Sequence, residues 1–163
     1  MSQTIISFFS FLPPDLQVFV ISAIPVVELR GAIPWGIFIH RLPYIKTFLL
    51  AWVGSVLPAP FILWLMPAIL DWMRGTTLFG PFANWLHDRG MRKSKDIAKY
   101  EIWGLTIFIA IPLPGTGVWT GCLAASLMDM DFKHGIFSAI LGAAIAGGVV
   151  SLLCYFGLMA IGG

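Results

Sequence analysis

The fold of this chain is decided by one segment, Pro25-Val26-Val27-Glu28-Leu29-Arg30-Gly31-Ala32-Ile33-Pro34. It lies inside an apolar stretch, residues 16–39, that is long enough to cross a bilayer. A charge at the centre of a membrane helix costs about 2.5–3.5 kcal/mol, so Glu28 and Arg30 together offset roughly ten apolar residues. We therefore predict a re-entrant helical hairpin, which descends from Leu16, turns between Pro25 and Arg30 and returns through Gly36.

The composition of the whole chain agrees with a membrane location. Of its 163 residues, 58% are hydrophobic and 11% are charged, and the mean hydropathy is +0.88. A soluble domain carries about 25% charged residues, so an ordinary soluble enzyme and a disordered tail are both excluded. We predict an all-α integral membrane protein with a single membrane domain over residues 1–163. The net charge of +2 is too small to suggest nucleic-acid binding.

A second broken segment stands in the later half of the chain. The Ala-Ile-Pro triplet at residues 23–25 recurs 87 residues later at 110–112, where Ile111-Pro112-Leu113-Pro114-Gly115-Thr116-Gly117 cannot continue a regular helix. We predict that this segment is also re-entrant. The order of segments then defines a first repeat over 13–73 and a second over 101–163. Each repeat has one hairpin and one long kinked transmembrane helix, so the two insert with opposite orientations as an inverted repeat.

The two predicted crossings differ in pattern. Residues 43–72 are interrupted by Gly54, Pro58, Pro60 and Pro67, which predicts one bent crossing. Residues 132–161 carry a stripe of small residues at every fourth position: Gly135, Ala139, Ala143, Gly147 and Ser151. Such a stripe lets another backbone approach closely, and we favour packing within the bundle over a dimer seam.

Between the repeats lies a basic linker, residues 74–100. It holds six of the ten basic residues, and the positive-inside rule places it in the cytoplasm. Its apolar residues recur at helical spacing, and residues 5–12 are apolar but too short to span. Both segments are expected to be amphipathic and to lie at the membrane interface.

The two broken segments carry a family resemblance. The first segment, together with Pro112-Leu113-Pro114-Gly115-Thr116-Gly117-Val118-Trp119-Thr120-Gly121, resembles the small multidrug export protein family and, more distantly, the DedA-like membrane proteins. The resemblance implies an inverted repeat with two re-entrant hairpins, an intramembrane Glu and Arg, and proton-dependent transport in a bacterial or archaeal cytoplasmic membrane. For the DedA-like proteins it also implies movement of lipid phosphates, notably undecaprenyl phosphate.

These patterns predict a secondary transporter, because intramembrane charges are costly and broken helices commonly build substrate sites. The residues expected to handle substrate and protons are Glu28, Arg30, Pro25, Gly31, Pro34, Pro112, Pro114, Gly115, Thr116, Gly117, Trp119 and Thr120. No cofactor and no metal are expected. The expected partners are membrane lipid, a small amphipathic substrate and protons, and a homodimer is expected because one copy has few helices to enclose a path.

Three functions remain open. An anionic lipid-phosphate head group would be bound by Arg30 with the amides and hydroxyls of the second segment. A lipophilic cation would exchange with a proton on Glu28, beside the aromatic faces of Trp35 and Trp119. The anion is favoured because an uncompensated arginine would repel a cation. A structural or assembly protein is the third alternative, whereas an intramembrane enzyme is not expected, since no catalytic serine or zinc-helix motif is present.

Overall fold

The structure is a computed structural model that describes the backbone of residues 12–74, 95–113 and 115–162. Side chains are described for residues 12–69, 100–113 and 115–157. The predicted interfacial segment before residue 12, most of the basic linker and Pro114 lie outside the described residues. The described part is all-helical, as the sequence predicts, and contains no strand.

Within residues 12–74 and 115–162, the helices follow one another through short turns. Their bounds are α1 Pro14–Ala23, α2 Glu28–Pro34 with a π-helical turn Trp35–Ile39, α3 Tyr44–Val56, α4 Ala59–Arg74, α5 Lys95–Ala110, α6 Val118–Leu127 and α7 Phe132–Gly162. The chain divides into two compact units, residues 1–55 with 146–163 and residues 56–145. The last helix, α7, therefore contributes its first half to the second unit and its second half to the first unit.

The first unit is built around the hairpin of α1 and α2. Pro14 starts α1 at a position where a missing N–H costs nothing, and the backbone turns through residues 24–27 before α2 begins at Glu28. The two helices pack against each other. At 1.5 Å per residue, the ten residues of α1 span about 15 Å, half the hydrocarbon core of a bilayer. Neither arm of this hairpin is long enough to cross.

In the second unit, α5, the turn after it and α6 form a comparable helix–turn–helix. The chain leaves α5 at Ala110 and passes through Gly115, whose φ of +88° is a backbone conformation that glycine adopts without strain. Helix α6 then packs against α5 and also against α4. At Gly121 an added Cβ would lie 2.5 Å from a side-chain carbon of Ile109, so this glycine is required for the close packing of α6 on α5.

Several features of the two hairpins recur at nearly the same spacing as the Ala-Ile-Pro triplet, which is repeated after 87 residues. The first arms end at Ala23 and Ala110, and the following long helices begin at Tyr44 and Phe132. Three residues before each long helix stands a non-glycine residue with positive φ, Arg41 at +51° and Asp129 at +56°. In both halves of the described chain, two helices joined by a turn thus precede the start of a candidate span.

The repetition extends to packing. On α3, a Cβ added to Gly54 would collide with the backbone carbonyl oxygen of Phe19 on α1. On α7, a Cβ added to Gly142 would lie 2.9 Å from the backbone carbonyl oxygen of Thr106 on α5. In each unit, a glycine of the long helix thus lets its backbone approach the first arm of the hairpin.

The first predicted crossing is divided, not merely bent. Helix α3 ends at Val56 and α4 begins at Ala59, with a turn at residues 57–58. Pro58 and Pro60 have no N–H to donate, which explains a break at this position, whereas Pro67 is accommodated inside α4. Residues Tyr44–Ile69 together still have the length and hydropathy of a membrane span.

The second crossing, α7, is one continuous helix. Its small-residue stripe packs inside the chain: Ala139 and Ala143 are fully buried, Gly135 faces Leu63 in the second unit, and Gly147 faces Phe48 in the first unit. Within each of the two candidate spans, Tyr44–Ile69 and Phe132–Gly157, only 39% of the most apolar window is buried. The core helix of a soluble protein would be mostly buried, so these spans have the surface expected of helices that face lipid.

Two glycines of α7 provide a direct test of this packing. We expect Gly142→Ala to destabilise the protein by about 1–3 kcal/mol, because the new methyl group would collide with Ile109 and with the Thr106 carbonyl. Gly148→Ala is the matched control, since its Cβ would meet no atom within 4 Å and alanine favours a helix. Thermal unfolding in detergent measures both variants. Equal stabilities would contradict the packing described here.

Candidate substrate and proton site

Glu28 lies at the first position of α2, directly after the hairpin turn. Its side chain is buried, with 4% of the residue exposed, and its φ of +47° is in the left-handed region. This conformation is uncommon for residues other than glycine, and such strained residues are concentrated at functional sites. Its backbone N–H donates to the carbonyl of Ile24 at 2.9 Å, which closes the turn.

The sequence requires a non-helical backbone if Glu28 is to interact with Arg30, because residues two apart do not face each other on a helix. The structure has this feature: the backbone at Glu28 is left-handed, and the Glu28 carboxylate acts electrostatically on the half-buried Arg30 guanidinium. Burial and the Glu28 charge both act on the Arg30 guanidinium, and burial has the larger effect.

The other predicted residues of the first segment shape the hairpin. Pro25 lies in the exposed turn, next to Val26, which is 91% exposed. Gly31 faces the side chain of Val27, which a Cβ at that position would strike. Pro34 ends α2 and precedes the π-helical turn, and such turns occur frequently at functional sites.

A polar network lies beside this π-helical turn. The Gln17 amide nitrogen donates to the carbonyl of Leu12 at 2.9 Å, which orients the Gln17 carbonyl oxygen away from it. That oxygen is 2.9 Å from His40 Nε2 and 3.4 Å from Trp35 Nε1. The indole N–H of Trp35 also donates to His40 Nε2 at 3.2 Å, so it is shared between His40 and Gln17. The three side chains therefore form one hydrogen-bonded network.

The sequence analysis missed this network. Gln17 is buried, and a buried polar side chain requires hydrogen-bond partners, but its burial is seen only in the structure. Next to the network, the exposed side chains of Asp15 on α1 and Lys46 on α3 form an ion pair with a distance of 2.7 Å.

Removing the acceptor of this network should be costly. We expect Gln17→Met, which has a similar volume, to lower the free energy of unfolding by about 1–3 kcal/mol, because His40 and Trp35 lose the carbonyl to which they donate. Trp35→Phe removes the two longer contacts of the indole, with Gln17 and with His40, but keeps the 2.9 Å contact between Gln17 and His40, so its loss should be smaller. Denaturation in detergent ranks the two variants. The reverse order would show that the network does not stabilise the hairpin.

The second predicted segment forms the turn between α5 and α6. The Thr116 hydroxyl donates to the carbonyls of Ile111 and Leu113 at 2.7 and 2.9 Å, and the Thr120 hydroxyl donates to the carbonyl of Gly117 at 3.3 Å. These hydroxyls close the turn and are not directed as donors toward a ligand. Instead, the backbone N–H groups of the first residues of α6, Val118 to Thr120, are the donors that a helix start offers to an anion.

The remaining predicted positions are divided between the units. Pro112 and Gly115 lie in the second turn, Trp119 is in the first turn of α6, and Pro114 lies outside the described residues. Glu28 and Arg30 belong to the first unit, and residues 112–120 to the second. Among the described residues, no group of three or more His, Cys, Asp or Glu side chains is placed to hold a metal ion.

The geometry defines a class of protein: a small helical membrane protein with a buried acidic residue at a broken helix and a matching break in its second half. The sequence profile of the family described as "Putative small multi-drug export protein" matches residues 28–149, and the chain belongs to this family. The match begins at Glu28 and extends into α7. No curated protein and no solved structure matches the chain.

Proposed function

We propose that this protein is a proton-coupled secondary transporter that exports lipophilic cations, with Glu28 as the group that exchanges a proton for the substrate. The observation that carries the proposal is Glu28 itself, a carboxylate that is 4% exposed at the start of a broken helix. Removing a carboxylate from water is costly, and such groups in membrane proteins commonly bind ions or protons. Membership of a family described by multi-drug export supports the same function.

The preference for a cation follows from the Glu28 and Arg30 pair. The anionic head group was favoured on the ground that an uncompensated arginine would repel a cation. Because the Glu28 charge acts on Arg30, the arginine has a negative charge near it, and this weakens the argument for an anion. A proton arriving at Glu28 would leave Arg30 as a net positive charge, which would help to expel a cationic substrate from the site.

In this mechanism the two broken hairpins are re-entrant and enter the membrane from opposite faces as an inverted repeat. The support is the length of the first arm, about half a bilayer, and the recurrence of arm ends, positive-φ turns and close-packed glycines in both halves. A homodimer in a bacterial or archaeal cytoplasmic membrane, with the linker of residues 74–100 in the cytoplasm, is part of the proposal.

A second candidate is the transport of an amphipathic substrate with an anionic head group, such as a lipid phosphate. It is favoured by the start of α6, where backbone N–H groups follow the glycine-rich turn and no side chain caps the helix. Helix starts of this kind bind phosphate and carboxylate groups. The two candidates place the head group differently, at Glu28 for a cation and at residues 117–120 for an anion.

Transport by the purified protein in liposomes distinguishes these functions. With an acid interior and with the membrane potential clamped by potassium and valinomycin, we expect uptake of tetraphenylphosphonium that stops when the pH gradient is collapsed. A labelled polyprenyl phosphate is tested in parallel. Uptake of only the phosphate would support the second candidate, and fluxes equal to those of protein-free liposomes would contradict transport of either class.

A further inference from the structure

At the base of the first hairpin, one nitrogen atom of a histidine lies beside both a hydrogen-bond donor and a hydrogen-bond acceptor. The carbonyl oxygen of Gln17, which only accepts, is 2.9 Å from His40 Nε2. The indole nitrogen of Trp35, whose N–H only donates, is 3.2 Å from the same atom. Gln17 does not exchange its roles, because its amide nitrogen donates to the carbonyl of Leu12.

These contacts allow two hydrogen-bond arrangements, because one ring nitrogen cannot accept and donate at the same time. Without a proton, Nε2 of His40 accepts from Trp35, and its lone pair opposes the Gln17 oxygen. With a proton, Nε2 donates to Gln17, and the indole N–H is left with the Gln17 oxygen at 3.4 Å. A neutral imidazole can adopt either arrangement. A positively charged imidazole has protons on both nitrogens and allows only the second.

The second arrangement joins the two ends of the hairpin. Gln17 lies near the start of α1, whereas His40 directly follows the π-helical turn at the end of α2. This turn packs against α1 and α2, and its Gly36 faces Thr47 of α3. A hydrogen bond from a positively charged donor is stronger than one from a neutral donor. A proton gained by His40 would therefore strengthen the link between the two arms.

The other ionisable side chains on these elements are paired with each other or lie at the far end of the hairpin. Asp15 on α1 and Lys46 on α3 form the exposed ion pair with a distance of 2.7 Å. Glu28 and Arg30 on α2 precede His40 by ten or more residues, which is about 15 Å along a helix. The remaining ones, before and at the start of α3, are Arg41 and Tyr44. Of all these groups, only an imidazole ordinarily changes its charge between about pH 5 and 8.

We propose that Gln17, Trp35 and His40 form a pH-sensitive clasp, which tightens when His40 gains a proton and holds together the two arms of the hairpin that carries Glu28. Acid selects the arrangement in which His40 donates to Gln17. At higher pH the imidazole is neutral and can also accept from Trp35, so the added stability is present at low pH and is lost as the pH rises. The inference goes beyond the proposed function, since it requires neither a substrate nor transport.

Thermal unfolding of the full chain in detergent, at about pH 5.5 and about pH 8, tests the clasp. Gln17→Met removes the acceptor, and we expect its loss in melting temperature to be about 2–4 °C larger at the lower pH. In a His40→Gln background this loss should be the same at both pH values, because an amide donates at either pH. In an Asp15→Asn background, which removes a charge from the exposed ion pair, the difference between the pH values should persist.

A second measurement does not depend on the stability of these variants. In NMR spectra of the wild type, the indole N–H signal of Trp35 is identified by its absence in Trp35→Phe, and the ring signals of His40 by their absence in His40→Gln. We expect the indole signal to shift together with the His40 signals as the pH falls, because the indole loses His40 Nε2 as an acceptor.

Each contrary outcome has a distinct meaning. An equal loss for Gln17→Met at both pH values, or an indole signal that does not follow His40, would overturn the proposal. A pH difference that survives in the His40→Gln background would assign it to another group, and one that disappears with Asp15→Asn would assign it to the ion pair with Lys46. Either result would also overturn the proposal. Because both measurements are made without transport, absence of flux in liposomes would contradict the proposed function and leave the clasp unaffected.

Discussion

Replacing Glu28 by Gln is expected to reduce proton-coupled uptake in liposomes to the level of protein-free vesicles. The amide keeps the size of the side chain but does not exchange a proton in the physiological range. Because Glu28 is buried at a strained position, we expect no other carboxylate to replace it. Uptake driven by an imposed pH gradient is the measurement.

Asp15→Asn is the matched control for this prediction. It removes the same charge from the same unit, but Asp15 is in an exposed ion pair with Lys46, and such pairs contribute about 0–1 kcal/mol. This variant should transport at close to the wild-type rate. Full uptake in Glu28→Gln would show that Glu28 is not the group that exchanges the proton. Equal losses in both variants would show that the negative charge acts by stabilising the fold.

The second large effect is expected on stability. Removing one member of a buried pair leaves an uncompensated charge, so Glu28→Gln and Arg30→Gln should each lower the free energy of unfolding, by up to about 3–5 kcal/mol for a fully buried pair. Because Arg30 is only half-buried, we expect the lower part of that range. The double variant should lose less than the sum of the two single losses, since neither charge is then left alone.

Thermal or denaturant unfolding in detergent measures the loss of stability in the two single variants and in the double variant. A coupling of at least about 1 kcal/mol would support direct interaction between the two side chains. Strictly additive losses would show that Glu28 and Arg30 act independently. The double variant should remain inactive in transport even where its stability recovers, which separates the function of Glu28 from its contribution to folding.

Much of the fold could be predicted from the sequence because membrane helices leave strong local signals. Charges at residues 28 and 30 and prolines at 25 and 34 predict a break in the first apolar stretch, and the structure has a turn at residues 24–27. The glycines and prolines of residues 111–117 predict the second break in the same way. The small-residue stripe also predicts the buried positions of α7, because close packing selects glycine and alanine.

Other features depend on contacts that local patterns do not encode. A run with several prolines can bend or divide, and the division of the first crossing at residues 57–58 was therefore missed. The network of Gln17, Trp35 and His40 joins residues up to 23 positions apart, so neither hydropathy nor spacing identifies it. The left-handed backbone at Glu28 is signalled by no residue type at that position.

The most direct measurement of the central claim is the side of the membrane on which two engineered cysteines react. Pro43→Cys and Asp131→Cys place exposed thiols just before α3 and α7, in a background where the buried Cys122 and Cys154 are replaced by alanine. If residues 14–39 and 95–127 form re-entrant hairpins inserted from opposite faces, a membrane-impermeant maleimide added to intact cells will label one of these thiols and leave the other unlabelled. If both segments instead cross the membrane completely, the two thiols will lie on the same side, and equal labelling will contradict the inverted repeat.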